Sequence, residues 1–88
     1  MSLFENQFSD FLGGGYSSAV ANGTVALHLA LKALNISEGD EVIVPAVSWM
    51  TTYSPLIQLG LVPKIVDIEK ETLKISIVSI KNAINDKT

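Results

Sequence analysis

The chain has 88 residues, of which 48% are apolar, 17% charged and 7% aromatic, with a formal net charge of −3. That length holds at most one small domain, and with no cysteine and a single histidine disulfides, thiolate metal sites and multi-His zinc sites are excluded. All six basic residues are lysines, so the basic stripe of a nucleic-acid binder is missing, and no apolar run approaches the ~18–20 residues of a membrane span.

The first residues, Met1-Ser2-Leu3-Phe4-Glu5, have neither the basic n-region nor the apolar h-region of a secretory signal. A cytoplasmic location is the expectation, and the lack of cysteine agrees with it. Phe4, Phe8, Phe11 and Leu12 repeat at i, i+4, i+7 and i+8, one face of a helix. Gly13-Gly14-Gly15 ends that helix, because glycine accepts positive φ without steric cost. Ser18-Ala19-Val20-Ala21 reads as a short strand and Asn22-Gly23-Thr24 as a turn. Thr24 to Leu34 is rich in Ala and Leu, the strongest helix formers, with Leu27, Ala30, Leu31 and Leu34 on a shared face. Asn35 and Gly39 close it.

Val42-Ile43-Val44 is β-branched, apolar on both faces and stopped by Pro45, which predicts a buried parallel strand. Trp49 to Leu59 has room for a second helix, ended by Gly60; Thr51 and Thr52 are poor helix formers, and Pro55 fits best in a first turn. Leu61 to Ile68 includes a third strand, Ile65-Val66-Asp67-Ile68, with Asp67 as its polar exit. Ile77, Ile80, Ala83 and Ile84 mark a last helix between Ser76 and Asn85. The order α-β-α-β-α-β-α predicts an α/β fold of βαβ units with a parallel sheet.

Three features bear on chemistry. Ala19 to Thr24 is a strand, a tight glycine turn and a helix N-terminus. Such a turn presents free N–H groups and the positive end of a helix dipole to an anion. Thr24 either caps this helix or donates its hydroxyl to a phosphate, and a plain N-cap explains the same residues. Trp49 follows the second strand, and ligands of open α/β sheets bind beyond the carboxyl ends of strands. It is there to stack on a planar ring or to fill a core or interface. His28 has no catalytic partner in the sequence and reads as a packing residue. Asp40, Glu41, Asp67, Glu69 and Glu71 read as solvated loop carboxylates. Neither a dinucleotide fingerprint nor a P-loop is present.

The motifs Asn22-Gly23-Thr24-x-Ala26-Leu27-His28-Leu29-Ala30-Leu31, Gly39-Asp40-Glu41-Val42-Ile43-Val44-Pro45, Trp49-x-Thr51-Thr52 and Gly60-x-x-Pro63-x-x-Val66-Asp67-Ile68 occur in that order. Together they resemble the DegT/DnrJ/EryC1/StrS family of pyridoxal-phosphate-dependent sugar aminotransferases of fold type I. The resemblance covers essentially the whole chain. It implies a truncated βαβαβ portion of the large domain of a three-layer α/β/α transferase, with residues 1–88 forming one incomplete domain.

The resemblance further implies that Gly23 and Thr24 bind the phosphate of pyridoxal 5′-phosphate, that Trp49 stacks on its ring and that Asn22 shapes the phosphate turn. Ser54 and Pro55 fall where many relatives carry Asn and a small apolar residue. The family's cofactor-bearing lysine, and the aspartate that pairs with the ring nitrogen, belong to later strands, so no catalytic residue is expected in this chain and a fragment of a larger reading frame is. Ser76-x-x-x-x-Lys81 mimics the spacing near that lysine and is a decoy. The implied substrates are a nucleotide-linked keto sugar and an amino acid, with glutamate as the expected donor, with homo-oligomeric assembly and neither nucleic acid nor membrane as partner. Alternatives are a sugar dehydratase of the same fold and a non-catalytic regulatory or interaction module on the same scaffold.

Overall fold

Helix α1 (Ser2–Phe11) forms where the apolar spacing places it, in a computed structural model that describes residues 2–88. The rings of Phe4 and Phe8, and of Phe8 and Phe11, stack along it with centroids 6.1 and 6.4 Å apart. It stops at Gly13, Gly14 and Gly15, which take φ values of +89°, +119° and +91°, open to glycine and costly to other residues. The Gly14 N–H reaches back to the Ser9 carbonyl at 2.9 Å, satisfying an acceptor that the helix end leaves open.

The strand expected over Ser18–Ala21 does not form. A strand exists by exchanging hydrogen bonds with a neighbour, and among the described residues no strand pairs with this segment. Side chains of α1 tie it down instead. Glu5 Oε1 accepts the Ala19 N–H at 2.8 Å, and the Ser9 hydroxyl donates to Ser17 Oγ at 2.9 Å.

Helix α2 (Gly23–Ala33) follows. Asn35 just beyond it takes φ +52°, a left-handed position that asparagine tolerates better than most residues. Gly39, at φ +88°, turns the chain into β1 (Glu41–Pro45). The helix expected over Trp49–Leu59 is split. Met50–Thr52 is a single 3₁₀ turn, and α3 is Ser54–Gln58 with Pro55 in its first turn, where a missing N–H is harmless. Strand β2 is Val62–Val66, which begins and ends earlier than the expected Ile65–Ile68, because Ile68 has left the sheet to form an antiparallel bridge with Ile75. Helix α4 (Ile77–Ala83) is capped by Ser76, whose Oγ accepts the Ser79 N–H at 3.2 Å.

Strands β1 and β2 pair in parallel, from Glu41 against Val62 to Pro45 against Val66, with α3 in the crossover that parallel pairing requires. The fold is α/β as expected, with one βαβ unit in place of βαβαβ. Its core is small. Val44, Leu56 and Leu61 are buried, and Leu31, Ile36, Val42, Tyr53 and Leu59 pack around them.

Much of the remaining apolar surface is open. Helix α2 has no buried residue. Thr24, His28 and Leu31 are half-buried on its inward side, whereas Leu27 and Leu34 of the expected face are exposed. The inward stripe is the one that brings Leu31 to the core and His28 to α3, where its Nδ1 lies 3.1 Å from Gln58 Oε1. A folded monomer of this length exposes about 5,000 Å² and has a radius of gyration of about 12 Å. This chain exposes 6714 Å² and has a radius of gyration of 15.6 Å.

Candidate functional site

The turn into α2 holds three of the four expected site residues. Asn22 is the N-cap, with extended backbone, and its Oδ1 accepts the Val25 N–H at 3.0 Å. Its carbonyl accepts the Ala26 N–H at 3.1 Å. Asparagine is among the best N-caps because its short side chain reaches the amide three residues on. Capping by Asn22 leaves the Thr24 hydroxyl without that task. Among the described residues the N–H groups of Gly23 and Thr24 and the Thr24 hydroxyl meet no acceptor. They stand at the positive end of the α2 dipole, with no acidic side chain in the first turn.

Gly23 is not demanded by the backbone or by packing. Its φ lies outside the left-handed region, and a Cβ added there would meet nothing within 4 Å. The space beside Gly23 is therefore open.

Trp49 follows the carboxyl end of β1 and precedes the 3₁₀ turn. Helix α2 leads from its C-terminus into the start of β1, and its length of ~16 Å matches a five-residue strand. Helix α2 packs against both α3 and the 3₁₀ turn that follows Trp49. Trp49 is 77% exposed. The ring pairs among the described residues are those of Phe4, Phe8 and Phe11, so the indole faces are free. The core reading of Trp49 does not hold within this chain.

Asp40, Asp67 and Glu69 have local partners, whereas Glu41, expected in a loop, opens β1 and is held by residues distant in the chain. Asp40 Oδ2 accepts the Ser37 N–H at 3.0 Å, Asp67 Oδ1 accepts the Ile68 N–H at 2.8 Å, and Glu69 Oε2 accepts the Thr72 hydroxyl at 2.9 Å. Glu41 accepts from Asn85 Nδ2 at 2.7 Å and pairs with Lys64 at 3.7 Å. Among the described residues no cluster of His, Asp or Glu is arranged to hold a metal ion, and no helix is long and apolar enough to cross a membrane. Ser76 caps α4, and Lys81 lies in its last turn. A cleft of ~330 Å³ between Phe4, Glu5, Phe8 and Ser17–Ala19 includes none of the four candidates.

The bracing of the Trp49 loop was not visible in the sequence. The Tyr53 hydroxyl donates to the Pro45 carbonyl at 2.6 Å, and the Ser48 and Thr52 hydroxyls lie 2.6 Å apart. A bond from a side chain to a backbone carbonyl eight residues away leaves no residue pattern to read.

The sequence model of the DegT/DnrJ/EryC1/StrS aminotransferase family matches residues 1–88. The chain is 45% identical over 85 residues to GDP-perosamine synthase of Vibrio cholerae, a match covering 97% of this chain and 23% of that protein. It is 46% identical over 91 residues to GDP-4-keto-6-deoxy-D-mannose 3-dehydratase of Yersinia pseudotuberculosis, with the same coverage of 97% and 23%. Among solved structures, the Escherichia coli GDP-4-keto-6-deoxy-D-mannose-3-dehydratase with bound hydrated PLP superposes with a TM-score of 0.85. Identity is 45%, over 99% of this chain and 24% of that one. The chain thus spans about a quarter of the length of the relatives it matches.

Proposed function

Because the chain belongs to the DegT/DnrJ/EryC1/StrS aminotransferase family, we propose that it is the first part of the large domain of a pyridoxal 5′-phosphate-dependent enzyme. That enzyme moves an amino group from an amino acid, with glutamate as the expected donor, to a keto sugar on a nucleotide carrier. Residues 1–88 are one incomplete domain in this reading.

One observation carries the cofactor site: unpartnered donors of Gly23 and Thr24 at the head of α2, a helix that packs against the turn following the exposed Trp49. A phosphate dianion is held best by such donors, where the dipole and the orphan N–H groups act together. Gly23 and Thr24 bind the phosphate through their N–H groups, and Thr24 adds its hydroxyl. Asn22 keeps the turn in shape by capping Val25. Trp49 offers a flat π-face to a planar cationic ring. When bound, the cofactor supplies an electron sink for the carbon that carries the amino group. These residues bind and orient; none of them is assigned a proton transfer.

The cofactor site is tested by equilibrium dialysis of pyridoxal 5′-phosphate against the whole protein. Thr24→Val and Trp49→Ala are each expected to weaken binding, and unchanged affinity in both overturns the assignment.

A second reading, a sugar 3-dehydratase on the same scaffold, has a specific support. The dehydratase and synthase relatives match equally well, at 46% and 45% identity. Mass spectrometry of a GDP-linked keto sugar after incubation with the whole protein, cofactor and glutamate separates the two. A product that has gained nitrogen supports amino transfer; one that has lost oxygen without gaining nitrogen supports dehydration.

We read the assembled protein as a cytoplasmic homo-oligomer. Open apolar surface on α1 and α2 supports the oligomer, and a cysteine-free chain suits a reducing compartment.

A further inference from the structure

We propose that Tyr53, with Ser48 and Thr52, is a positioning device that sets the plane of Trp49. The inference rests on the reading of Trp49 as the ring-stacking residue.

Trp49 is 77% exposed and has no aromatic neighbour among the described residues, so side-chain packing does little to hold its indole. Its orientation depends on the loop that carries it, and loops without packed side chains are the mobile parts of a fold. This loop is braced by hydrogen bonds. The Ala46 N–H donates to the Val66 carbonyl at 2.9 Å, which pins the loop entry to β2. The Tyr53 hydroxyl donates to the Pro45 carbonyl at 2.6 Å, which closes the base of the loop. The Ser48 and Thr52 hydroxyls meet at 2.6 Å, one residue before Trp49 and three after it. The Thr52 N–H completes the turn on the Trp49 carbonyl at 2.9 Å.

Tyr53 is suited to the base position because it belongs to two environments. Its side chain packs against the core of Val44, Leu56 and Leu61, while its hydroxyl holds the last residue of β1. The rigid part of the molecule is thereby connected to the loop that presents the indole. An aromatic platform is useful to a planar ligand only in a defined orientation, because an indole that must be ordered on binding gives up affinity. The brace is a preorganising element, and none of its three side chains needs to touch the ligand.

The test uses fluorine NMR of the whole protein labelled with fluorotryptophan, with the Trp49 resonance assigned by its loss in Trp49→Phe. Tyr53→Phe keeps the packed ring and removes only the hydroxyl. Ser48→Ala leaves the core untouched and serves where Tyr53→Phe lowers the yield of folded protein. In the cofactor-free protein both variants are expected to broaden, shift or split the Trp49 resonance. Ser48→Thr, which keeps the hydroxyl, is expected to restore it. Affinity for pyridoxal 5′-phosphate is expected to fall about three- to tenfold in Tyr53→Phe, the scale of one neutral hydrogen bond.

A Trp49 resonance unchanged in both Tyr53→Phe and Ser48→Ala overturns the proposal. So does a changed resonance with affinity equal to the wild type. The cofactor-free spectra report on the brace alone. A wild-type Trp49 resonance indifferent to pyridoxal 5′-phosphate would instead overturn the stacking role, so the two failures are distinguishable.

Discussion

Asn22 Oδ1 accepts the Val25 N–H at 3.0 Å, and this bond decides which donors at the head of α2 remain free. Of the first four amides of the helix, Val25 and Ala26 are taken by the side chain and carbonyl of Asn22, and Gly23 and Thr24 are left. Asn22→Ala removes the cap and is expected to lower stability by about 1 kcal/mol in urea unfolding. Asn22→Asp keeps the cap and adds a negative charge beside the phosphate position. It should leave the urea midpoint near wild type while weakening pyridoxal 5′-phosphate binding. Equal binding by the two proteins would count against a phosphate at this turn.

Gly23→Ala separates packing from binding. The added methyl meets nothing within 4 Å, and alanine lowers the chain entropy lost on folding, so stability should rise by up to ~1 kcal/mol. Binding of pyridoxal 5′-phosphate should weaken if the glycine serves close approach of the phosphate to the turn, the use to which glycine is put beside a ligand. Calorimetric melting and equilibrium dialysis on the same protein check the two halves.

Trp49→Ala and Leu56→Ala should behave oppositely. Leu56 is 1% exposed at the centre of the core and Trp49 is 77% exposed. Leu56→Ala should cost about 2–5 kcal/mol and leave a small fold largely unfolded by circular dichroism. Trp49→Ala should keep the melting temperature within a few degrees. Its loss should appear in cofactor affinity, at about 0.5–2 kcal/mol for a lost aromatic face over a cation.

Gly60 sits where the chain turns from α3 into β2, at φ +71°, and a Cβ there would lie 2.6 Å from Glu38 Cγ. Its carbonyl also accepts the Gly39 N–H at 2.9 Å. Gly60→Ala should therefore cost more than ~1 kcal/mol, read as a lower urea midpoint with the slope unchanged.

The open apolar faces of α1 and α2 should drive association when these 88 residues are studied as they stand. Phe11 is 83% exposed, Leu34 69% and Leu27 47%, and both strands of the sheet have an unpaired edge. Sedimentation at tens of micromolar should show oligomers, with bound hydrophobic dye. A single monomeric species without dye binding would refute this.

Local chemistry was legible in the residues. The phenylalanine spacing predicted α1, the three glycines its end, the β-branched run β1, and Pro55 the first turn of α3. Each of these rests on interactions within a few positions along the chain, through helical periodicity, allowed φ or a missing N–H. The turn at Asn22-Gly23-Thr24 is legible for the same reason, although the residues offer Thr24 as a cap and Asn22 makes it.

What the sequence determined alone was thus the helices and the two strands that form from local pattern, and the identity of the residues at the head of α2. Partners distant in the chain decided the rest. Ser18–Ala21 has the residues of a strand and is not one, since among the described residues no strand pairs with it. Helix α2 is apolar nearly all round, so its composition could not choose which stripe faces inward. The contacts of Leu31 with the core and of His28 with Gln58 chose it. The Trp49 loop takes its form from Tyr53, which meets Pro45 only once β1 and α3 are packed together. A strand, a buried face and a braced loop are pairwise properties, and their second members become neighbours only in the folded chain.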